Sequence, residues 1–208
     1  MEDVLSVYER PYDPLRPVVC VDESSRQLVG HARDPLRARP GEPERWDYEY
    51  VRAGVADVFM VFEPLGCARH ARVTASRTRL DFAETLRFVS DELYPRAEKV
   101  VLVMDNLNTH TMGSLYEAFP PEEARRLAEG FEVHHTPKHG SWLDMAEIEI
   151  GVLMRHGLPE RVSSMEEMER RVHEWELDRN LRCATVNRQL TTADARIKLR
   201  RLHPKLSA

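Results

Sequence analysis

The sequence predicts an α/β fold in which helices flank a mixed β-sheet. Two short apolar runs, residues 17–21 and 99–104, are typical of buried parallel strands. Each run leads directly into a carboxylate, Asp22 after the first and Asp105 after the second. Between them the apolar spacing changes to every third or fourth residue over positions 82–93, which is the period of a helix. A chain of 208 residues can bury one sizeable core of this kind.

The segments after the first strand are predicted to complete the sheet. Residues 27–31 are interpreted as a short hairpin partner of that strand, and the proline-containing residues 33–45 as a loop. Residues 46–50 alternate aromatic and acidic side chains, as a half-exposed strand does. A buried strand over residues 55–62 and its neighbour over residues 71–74 follow.

Capping residues predict where the later helices begin. Thr78 with Asp81 forms a capping box before the helix that leads into the Asp105 strand. Residues 120–130 form a helix that opens on proline and closes on glycine, and residues 131–135 form the last strand. Ser164 opens a further helix, and its apolar stripe predicts core packing rather than a partner groove. The stripe consists of Met165, Met168, Val172 and Trp175.

The two aspartates are the first candidate functional residues. The carboxyl ends of parallel strands are where open α/β sheets bind ligands. Asp22 and Asp105 would place hard oxygen ligands close together there, which suits Mg²⁺ or Mn²⁺. Either aspartate alone is equally explained as a helix cap or a turn residue. The pair, with a third carboxylate downstream, favours a metal site.

The third carboxylate lies in the segment PKHGSWLDMAEIE, residues 137–149. A turn at Gly140 should precede a helix that runs to about Arg155. Asp144 and Glu147 have the spacing of a capping box, so the alternative role of Glu147 is to cap the backbone. Glu149 competes for the site, but two residues along a helix rotate a side chain by about 200°. Only one of the two glutamates can face the aspartates, and periodicity leaves the choice open.

Three blocks of the sequence resemble a known family. VVCVDES around Asp22, VLVMDNLNTH around Asp105 and HTPKHGSWLDMAEIE around Glu147 are similar to the blocks of DDE transposases of the insertion sequence 630 group. These enzymes are bacterial relatives of the mariner transposons. The segment of residues 190–199 also looks like the C-terminal signature of that group. The resemblance extends over nearly the whole chain and implies a ribonuclease H-like sheet.

The resemblance implies a catalytic triad of Asp22, Asp105 and Glu147, which would also be the metal ligands. Residues 143–147 align with the Leu-Asn-Pro-Ile-Glu stretch of mariner-type enzymes, which favours Glu147 over Glu149. The implied activity is cleavage of transposon-end DNA and strand transfer into target DNA. It uses two Mg²⁺ ions, for which Mn²⁺ can substitute.

The resemblance also implies partners. Family members act on DNA, and a homodimer is expected. They carry an N-terminal helix-turn-helix region, whereas this chain has only 21 residues before Asp22. We therefore expect a separate DNA-binding subunit, or an upstream reading frame, to supply that half.

Charge is distributed unevenly along the chain. Residues 179–208 hold eight Lys or Arg and one acid, a net +7, so residues 1–178 carry −12 because the whole chain carries −5. We therefore divide it into a DDE catalytic domain, residues 1–178, and a basic C-terminal extension, residues 179–208. The extension is predicted to face DNA, with an intramolecular clamp onto the acidic domain as the alternative. The candidate DNA contacts are Lys138, His139, Arg196, Lys198, Arg200 and Arg201, and the possible accessory residues are Asn106 and His110.

Several classes of protein are excluded. No run of residues approaches the roughly 18 apolar residues of a membrane span, and no signal peptide precedes the first strand, so a soluble intracellular domain is expected. The family resemblance implies a nucleoid-associated protein of the bacterial cytoplasm. Cys20, Cys67 and Cys183 are widely spaced, which favours free thiols over disulfides or zinc ligands. His134 and His135 are adjacent in a predicted strand and should face opposite ways, which argues against a zinc site.

Two alternative functions remain. A non-catalytic transposase remnant could bind DNA or a partner subunit without cutting, but the intact acidic triad argues against it. Another ribonuclease H-like nuclease is disfavoured by the blocks at residues 137–149 and 190–199.

Overall fold

The computed structural model describes residues 1–34, 36–105, 111–137, 140, 143–158 and 161–185. The strands of this part of the chain are β1 (Val18–His31), β2 (Tyr50–Glu63), β3 (Ala68–Thr74), β4 (Val100–Met104) and β5 (Phe131–His135). The helices are α1 (Glu2–Tyr8), α2 (Arg79–Phe88), α3 (Gly113–Ala118), α4 (Pro121–Gly130), α5 (Met145–Val152) and α6 (Met165–Leu181). Two π-helical turns extend α2 and α5, over Val89–Leu93 and Leu153–Gly157.

The strands form one mixed sheet in the order β3-β2-β1-β4-β5. β1 is antiparallel to β2 and parallel to β4, while β3 is antiparallel to β2 and β5 is parallel to β4. β4 is buried throughout, as expected for a parallel strand covered on both faces. The predicted α/β fold with a mixed sheet flanked by helices is therefore confirmed.

Helices cover both faces of the sheet and divide the core into two clusters. One cluster joins the sheet to α1, α5 and α6, and it includes Cys20 and Val103. The other joins the sheet to α2, α3 and α4, and it includes Val21 and Met104. Neighbouring residues of β1 and β4 enter opposite clusters because successive side chains of a strand point to opposite faces.

β1 is longer than the sequence predicted. Asp22 does not end the strand: it lies inside β1 and pairs with Met60 of β2. What ends there is the parallel pairing of β1 with β4, whose last pair is Val21 with Met104. Residues 27–31, predicted as a separate hairpin partner, are the last part of the same strand. The apolar run predicted only the segment buried on both faces, whereas the antiparallel ladder with β2 continues beyond it.

The predicted strand over residues 46–50 is wrong except for Tyr50, which begins β2. The Asp47 carboxylate accepts a hydrogen bond from the Glu49 backbone N–H at 3.1 Å. This local turn competes with the strand ladder for the backbone groups. Residues 33–45 lie outside the named strands where they are described, in agreement with the predicted loop, and carry two isolated bridges.

The predicted helix starts are confirmed. Thr78 and Asp81 form the full capping box of α2, and Ser164 accepts a hydrogen bond from the Glu167 N–H at the start of α6. Met168 and Trp175 of the α6 stripe are buried in the core, as predicted. No helix in the described part of the chain is long and apolar enough to cross a membrane.

The cysteine prediction is correct for one residue only. Cys20 is a buried free thiol, but Cys67 and Cys183 form a disulfide with their Cα atoms 5.0 Å apart. Cys67 lies in the turn between β2 and β3, and Cys183 lies just after α6. The pair is 116 residues apart in sequence, so no local spacing predicted it. It forms because α6 packs against β3.

Candidate active site

The parallel pairing of β1 and β4 brings two of the predicted site residues together. Val21 and Met104 are the last registered pair of β1 and β4, and Asp22 and Asp105 are the residues that follow them. Adjacent parallel strands lie about 4.8 Å apart. Asp22 and Asp105 are therefore neighbours across the sheet, although their strands are far apart in sequence.

Both aspartates emerge on the face of the sheet that α5 covers. Cys20 and Val103, each two residues earlier, belong to the core cluster that includes Ala146 of α5. Side chains two residues apart along a strand share a face. Asp22 and Asp105 are half-buried there, at the rim of this cluster.

Backbone contacts hold each aspartate in place. The Asp22 carboxylate accepts the Glu23 backbone N–H at 2.8 Å. The Asp105 carbonyl lies 3.2 Å from Nδ1 of His135, which must be the donor because a carbonyl only accepts. His135 therefore contacts the aspartate from β5. His134 instead contacts Asp3 and Glu132, so the two adjacent histidines have separate partners, as the strand period predicted.

The two candidate glutamates of α5 have opposite environments. Glu147 is exposed, in the first turn of the helix. Glu149 is fully buried and lies 3.1 Å from Nε of Arg69, which is also fully buried. It accepts a second contact from Arg179 of α6 at 2.7 Å. Glu149 is therefore part of a buried ion-pair cluster that joins α5 to β3 and α6.

A fourth carboxylate, Asp144, was predicted from the sequence only as part of a helix cap. Its side chain is 1 % exposed. Its Oδ1 accepts the Ala146 backbone N–H at 2.9 Å and so caps α5. Its Oδ2 is buried and has no hydrogen-bond partner in the described structure. The spacing from Glu147 had suggested a cap, and it gave no sign that the cap would be buried.

Electrostatics place Asp144 among the other three carboxylates. Burial holds its pKa well above the usual range of an aspartate, and the Asp22 carboxylate raises that pKa further. Asp105 and Glu147 act in the same direction, while the Ala146 N–H opposes them. Asp144 is therefore within electrostatic reach of the other three carboxylates.

The donor set fits a hard divalent cation. All four groups offer carboxylate oxygens, which are the ligands that Mg²⁺ and Mn²⁺ prefer. The free Oδ2 of Asp144 is a buried acceptor that lacks a donor. Among the described residues, however, no three His, Cys, Asp or Glu side chains stand close enough to hold a metal ion.

Other predicted contacts fall outside the described residues. These are Asn106, His110, Lys138, His139, Arg196, Lys198, Arg200 and Arg201. Two basic residues of the predicted extension are described, and both are paired with acids: Arg179 with Glu149 and Arg182 with Asp178. The predicted domain boundary at residue 178 falls inside α6.

A cleft of about 740 Å³ lies between α6 and the end of α5, away from the four carboxylates. It contains four arginines, but each of them forms an ion pair with an acid, so the cleft offers little uncompensated positive charge. The pairs are Arg170–Glu174, Arg171–Glu167, Arg179–Glu149 and Arg182–Asp178.

Comparison with known proteins gives one family and several similar structures. Residues 17–169 match the family model of the DDE superfamily endonucleases. The Mos1 mariner paired-end complex with Mn is 19% identical with a TM-score of 0.57, covering 88% of this chain and 55% of that one. The Mos1 strand transfer complex is 18% identical with a TM-score of 0.58, covering 88% and 54%. The paired-end complex with Mg is 17% identical with a TM-score of 0.57, covering 89% and 61%.

These similarities support the predicted ribonuclease H-like sheet. The chain spans little more than half the length of the mariner transposase chains that it matches. No curated protein matches it by sequence.

Proposed function

We propose that this chain, which belongs to the DDE superfamily endonucleases, is the catalytic domain of a DNA transposase of the insertion sequence 630 group. The proposed reaction is cleavage of transposon-end DNA followed by strand transfer into target DNA. The observation that carries the proposal is the parallel register that makes Asp22 and Asp105 neighbours on the face covered by α5.

The proposed catalytic residues are Asp22, Asp105 and Glu147. Glu149 is a poor candidate because its carboxylate is buried against Arg69 and Arg179. Glu147 is exposed on the same short helix and contributes to the electrostatic environment of Asp144 together with both aspartates. Because Glu147 is exposed, its carboxylate would remain accessible to a phosphodiester.

The proposed cofactor is Mg²⁺, with Mn²⁺ as a substitute and two ions per site. The matched mariner structures are complexes with Mn and with Mg, in keeping with this choice. When bound, two such ions stabilise the entering and leaving oxygens of an in-line displacement. The three carboxylates would bind the two ions and offset their positive charge. Water attacks first and the freed 3′-hydroxyl attacks target DNA second, so no covalent enzyme intermediate forms.

The proposed partner is DNA. The matched mariner structures include paired-end and strand transfer complexes. In this chain the predicted contacts are Lys138, His139, Arg196, Lys198, Arg200 and Arg201. The net −12 of residues 1–178 does not oppose DNA binding, because bound cations reverse the local charge. We further propose that the protein forms a homodimer and acts with a separate DNA-binding subunit. Its proposed location is the bacterial nucleoid.

Mn²⁺ should raise the melting temperature of this protein. A cation that binds only where folding gathers the carboxylates stabilises the folded state by mass action. At a hundredfold excess over Kd this amounts to ~2.7 kcal/mol, or roughly 5–10 °C for a domain of this size. Differential scanning fluorimetry across a millimolar Mn²⁺ titration measures the shift. Asp105→Asn is the matched control and should lose most of it, whereas a wild-type melting temperature that does not move contradicts the metal site.

A further inference from the structure

The disulfide joins two positions that solvent reaches. Cys67 lies half-buried in the turn between β2 and β3, and Cys183 lies exposed just after the end of α6. Their Cα atoms are 5.0 Å apart, although the two cysteines are 116 residues apart in sequence. The third cysteine, Cys20, is a free thiol buried in the core. A small thiol in solution therefore has access to the disulfide but not to Cys20.

Both cysteines of the pair have a backbone conformation that favours glycine. The φ angle is +58° at Cys67 and +45° at Cys183, and in the described part of the chain no other non-glycine residue has a positive φ. Residues with a Cβ atom rarely adopt this left-handed conformation. The backbone therefore gives no reason for a cysteine at either position, whereas the disulfide does.

At Cys183 this conformation ends α6. The Cys183 N–H donates to the Asn180 carbonyl at 3.0 Å. The Ala184 N–H donates to the Arg179 carbonyl at 3.1 Å. These two hydrogen bonds form the Schellman motif, in which the left-handed residue is usually glycine. A glycine at position 183 would therefore end the helix equally well and would leave out only the cross-link.

The disulfide closes a junction between α6 and β3 that is centred on Arg69. The Arg69 backbone N–H donates to Oδ1 of Asn180 at 3.0 Å, and Nδ2 of Asn180 donates to the Arg69 carbonyl at 2.8 Å. The Arg69 guanidinium donates to the Ala184 carbonyl. A small number of hydrogen bonds thus holds the end of α6 on β3, and the disulfide is the covalent link in this contact.

The basic part of the chain follows this junction directly in sequence. Residues 186–208 contain six Lys or Arg and one acid, and they include Arg196, Lys198, Arg200 and Arg201, four of the proposed DNA contacts. With the disulfide formed, this segment starts from a fixed point on the domain. Fixing one end of a segment before it binds lowers the entropic cost of binding, which favours DNA binding by the cross-linked form.

The proposed bacterial location is a reducing compartment. Disulfides of cytosolic proteins are usually transient, and exposed disulfides are reduced more readily than buried structural ones. We propose that Cys67 and Cys183 form a reversible redox site, whose reduction by a dithiol releases the end of α6 and weakens DNA binding by the basic extension. This inference rests on the proposed function, which supplies both the location and the DNA contacts of the extension.

The exchange reaction is balanced by the dithiol. One of its thiols loses a proton and attacks Sγ of Cys183, so that a mixed disulfide forms and the bond to Cys67 breaks. Cys67 leaves as a thiolate and takes up a proton. The second thiol of the reductant loses its proton and attacks the first, which releases Cys183 as a thiol. Two electrons pass from the reductant to the protein, the reductant becomes a disulfide, and a disulfide oxidant reverses both steps.

Hydrogen exchange on the oxidised and reduced protein tests the release of α6. Millimolar dithiothreitol without denaturant should reduce the disulfide, because Cys183 is exposed. The backbone amides of residues 180–185 should then exchange about tenfold faster or more, as expected for local opening. The amides of β4, which is buried throughout, should stay protected over the same period.

DNA affinity of the two forms tests the consequence. Fluorescence anisotropy with a labelled duplex at low salt should give a Kd roughly 3–10-fold higher for the reduced protein, because the extension has lost its fixed starting point. Cys183→Gly is the matched variant, since glycine keeps the helix end without the thiol. It should bind DNA like reduced wild type, with or without dithiothreitol. Cys67→Gly removes the same cross-link if that variant does not fold, and Cys20→Ala should respond to reduction as wild type does.

Three results would overturn the inference. These are a disulfide that resists dithiothreitol in the folded protein, a Cys183→Gly variant that still responds to the reductant, and equal DNA affinity of oxidised and reduced wild type. In all three cases measurable binding to DNA leaves the proposed function standing. If neither form of the wild type binds DNA, the proposed function is overturned together with the inference.

Discussion

Asp105→Asn should abolish cleavage of transposon-end DNA while leaving the protein folded. The substitution keeps the size and shape of the side chain and removes one anionic ligand beside Asp22. Stabilisation of the transition state by bound metal is worth several kcal/mol. At ~1.4 kcal/mol per tenfold, a loss of about 4 kcal/mol slows nicking roughly a thousandfold. Affinity for DNA should persist or rise, because a negative charge near the phosphates has been removed.

The measurement is a nicking assay in Mn²⁺ with wild type and variant side by side. Pre-nicked or concentrated transposon-end DNA, or an added DNA-binding partner, supplies the end recognition expected of the N-terminal region of the family. Asp91→Asn is the matched control, since Asp91 pairs with Arg126 on the opposite side of the sheet and should leave nicking unchanged. If wild type and Asp105→Asn bind such DNA equally and neither cuts it, the chain is a non-catalytic remnant.

Glu149→Gln should destabilise the fold strongly, whereas Glu147→Gln should not. Removing one partner of a buried ion pair costs about 3–5 kcal/mol, because the other charge stays buried without compensation. Here the charge left behind is Arg69, whose side chain is fully buried. Glu147 is exposed, so the same substitution there should change the free energy of unfolding by no more than ~0.5 kcal/mol. Its cleavage activity should nevertheless fall as far as that of Asp105→Asn.

Urea denaturation and the nicking assay on both glutamine variants distinguish structural from catalytic carboxylates. The expected pattern is a lower denaturation midpoint for Glu149→Gln, with residual activity at temperatures where it remains folded. Glu147→Gln should show a wild-type midpoint without activity. The reverse pattern, a stable and inactive Glu149→Gln beside an active Glu147→Gln, would make Glu149 the third catalytic residue.

Much of the sheet and the two aspartates could be predicted from local sequence. The apolar runs before Asp22 and Asp105 are short and rich in β-branched residues, which is the pattern of strands buried on both faces. Thr78 and Ser164 cap their helices through hydrogen bonds to residues three positions away, which a spacing rule detects. The prediction of a strand at residues 46–50 was wrong because alternating aromatic and acidic side chains form a strand only where a partner strand pairs with them.

The sequence by itself therefore determined the α/β class, the positions of β4 and most helices, and the carboxylates that could form a site. Only the tertiary structure decided which of those carboxylates are buried and which are exposed. Glu149 is buried in the core, where Arg69 of β3 and Arg179 of α6 form ion pairs with it. Asp144 is buried because α5 packs against β1 and β2. Both outcomes depend on contacts between segments distant in sequence, and periodicity, which describes one segment at a time, carries no information about them.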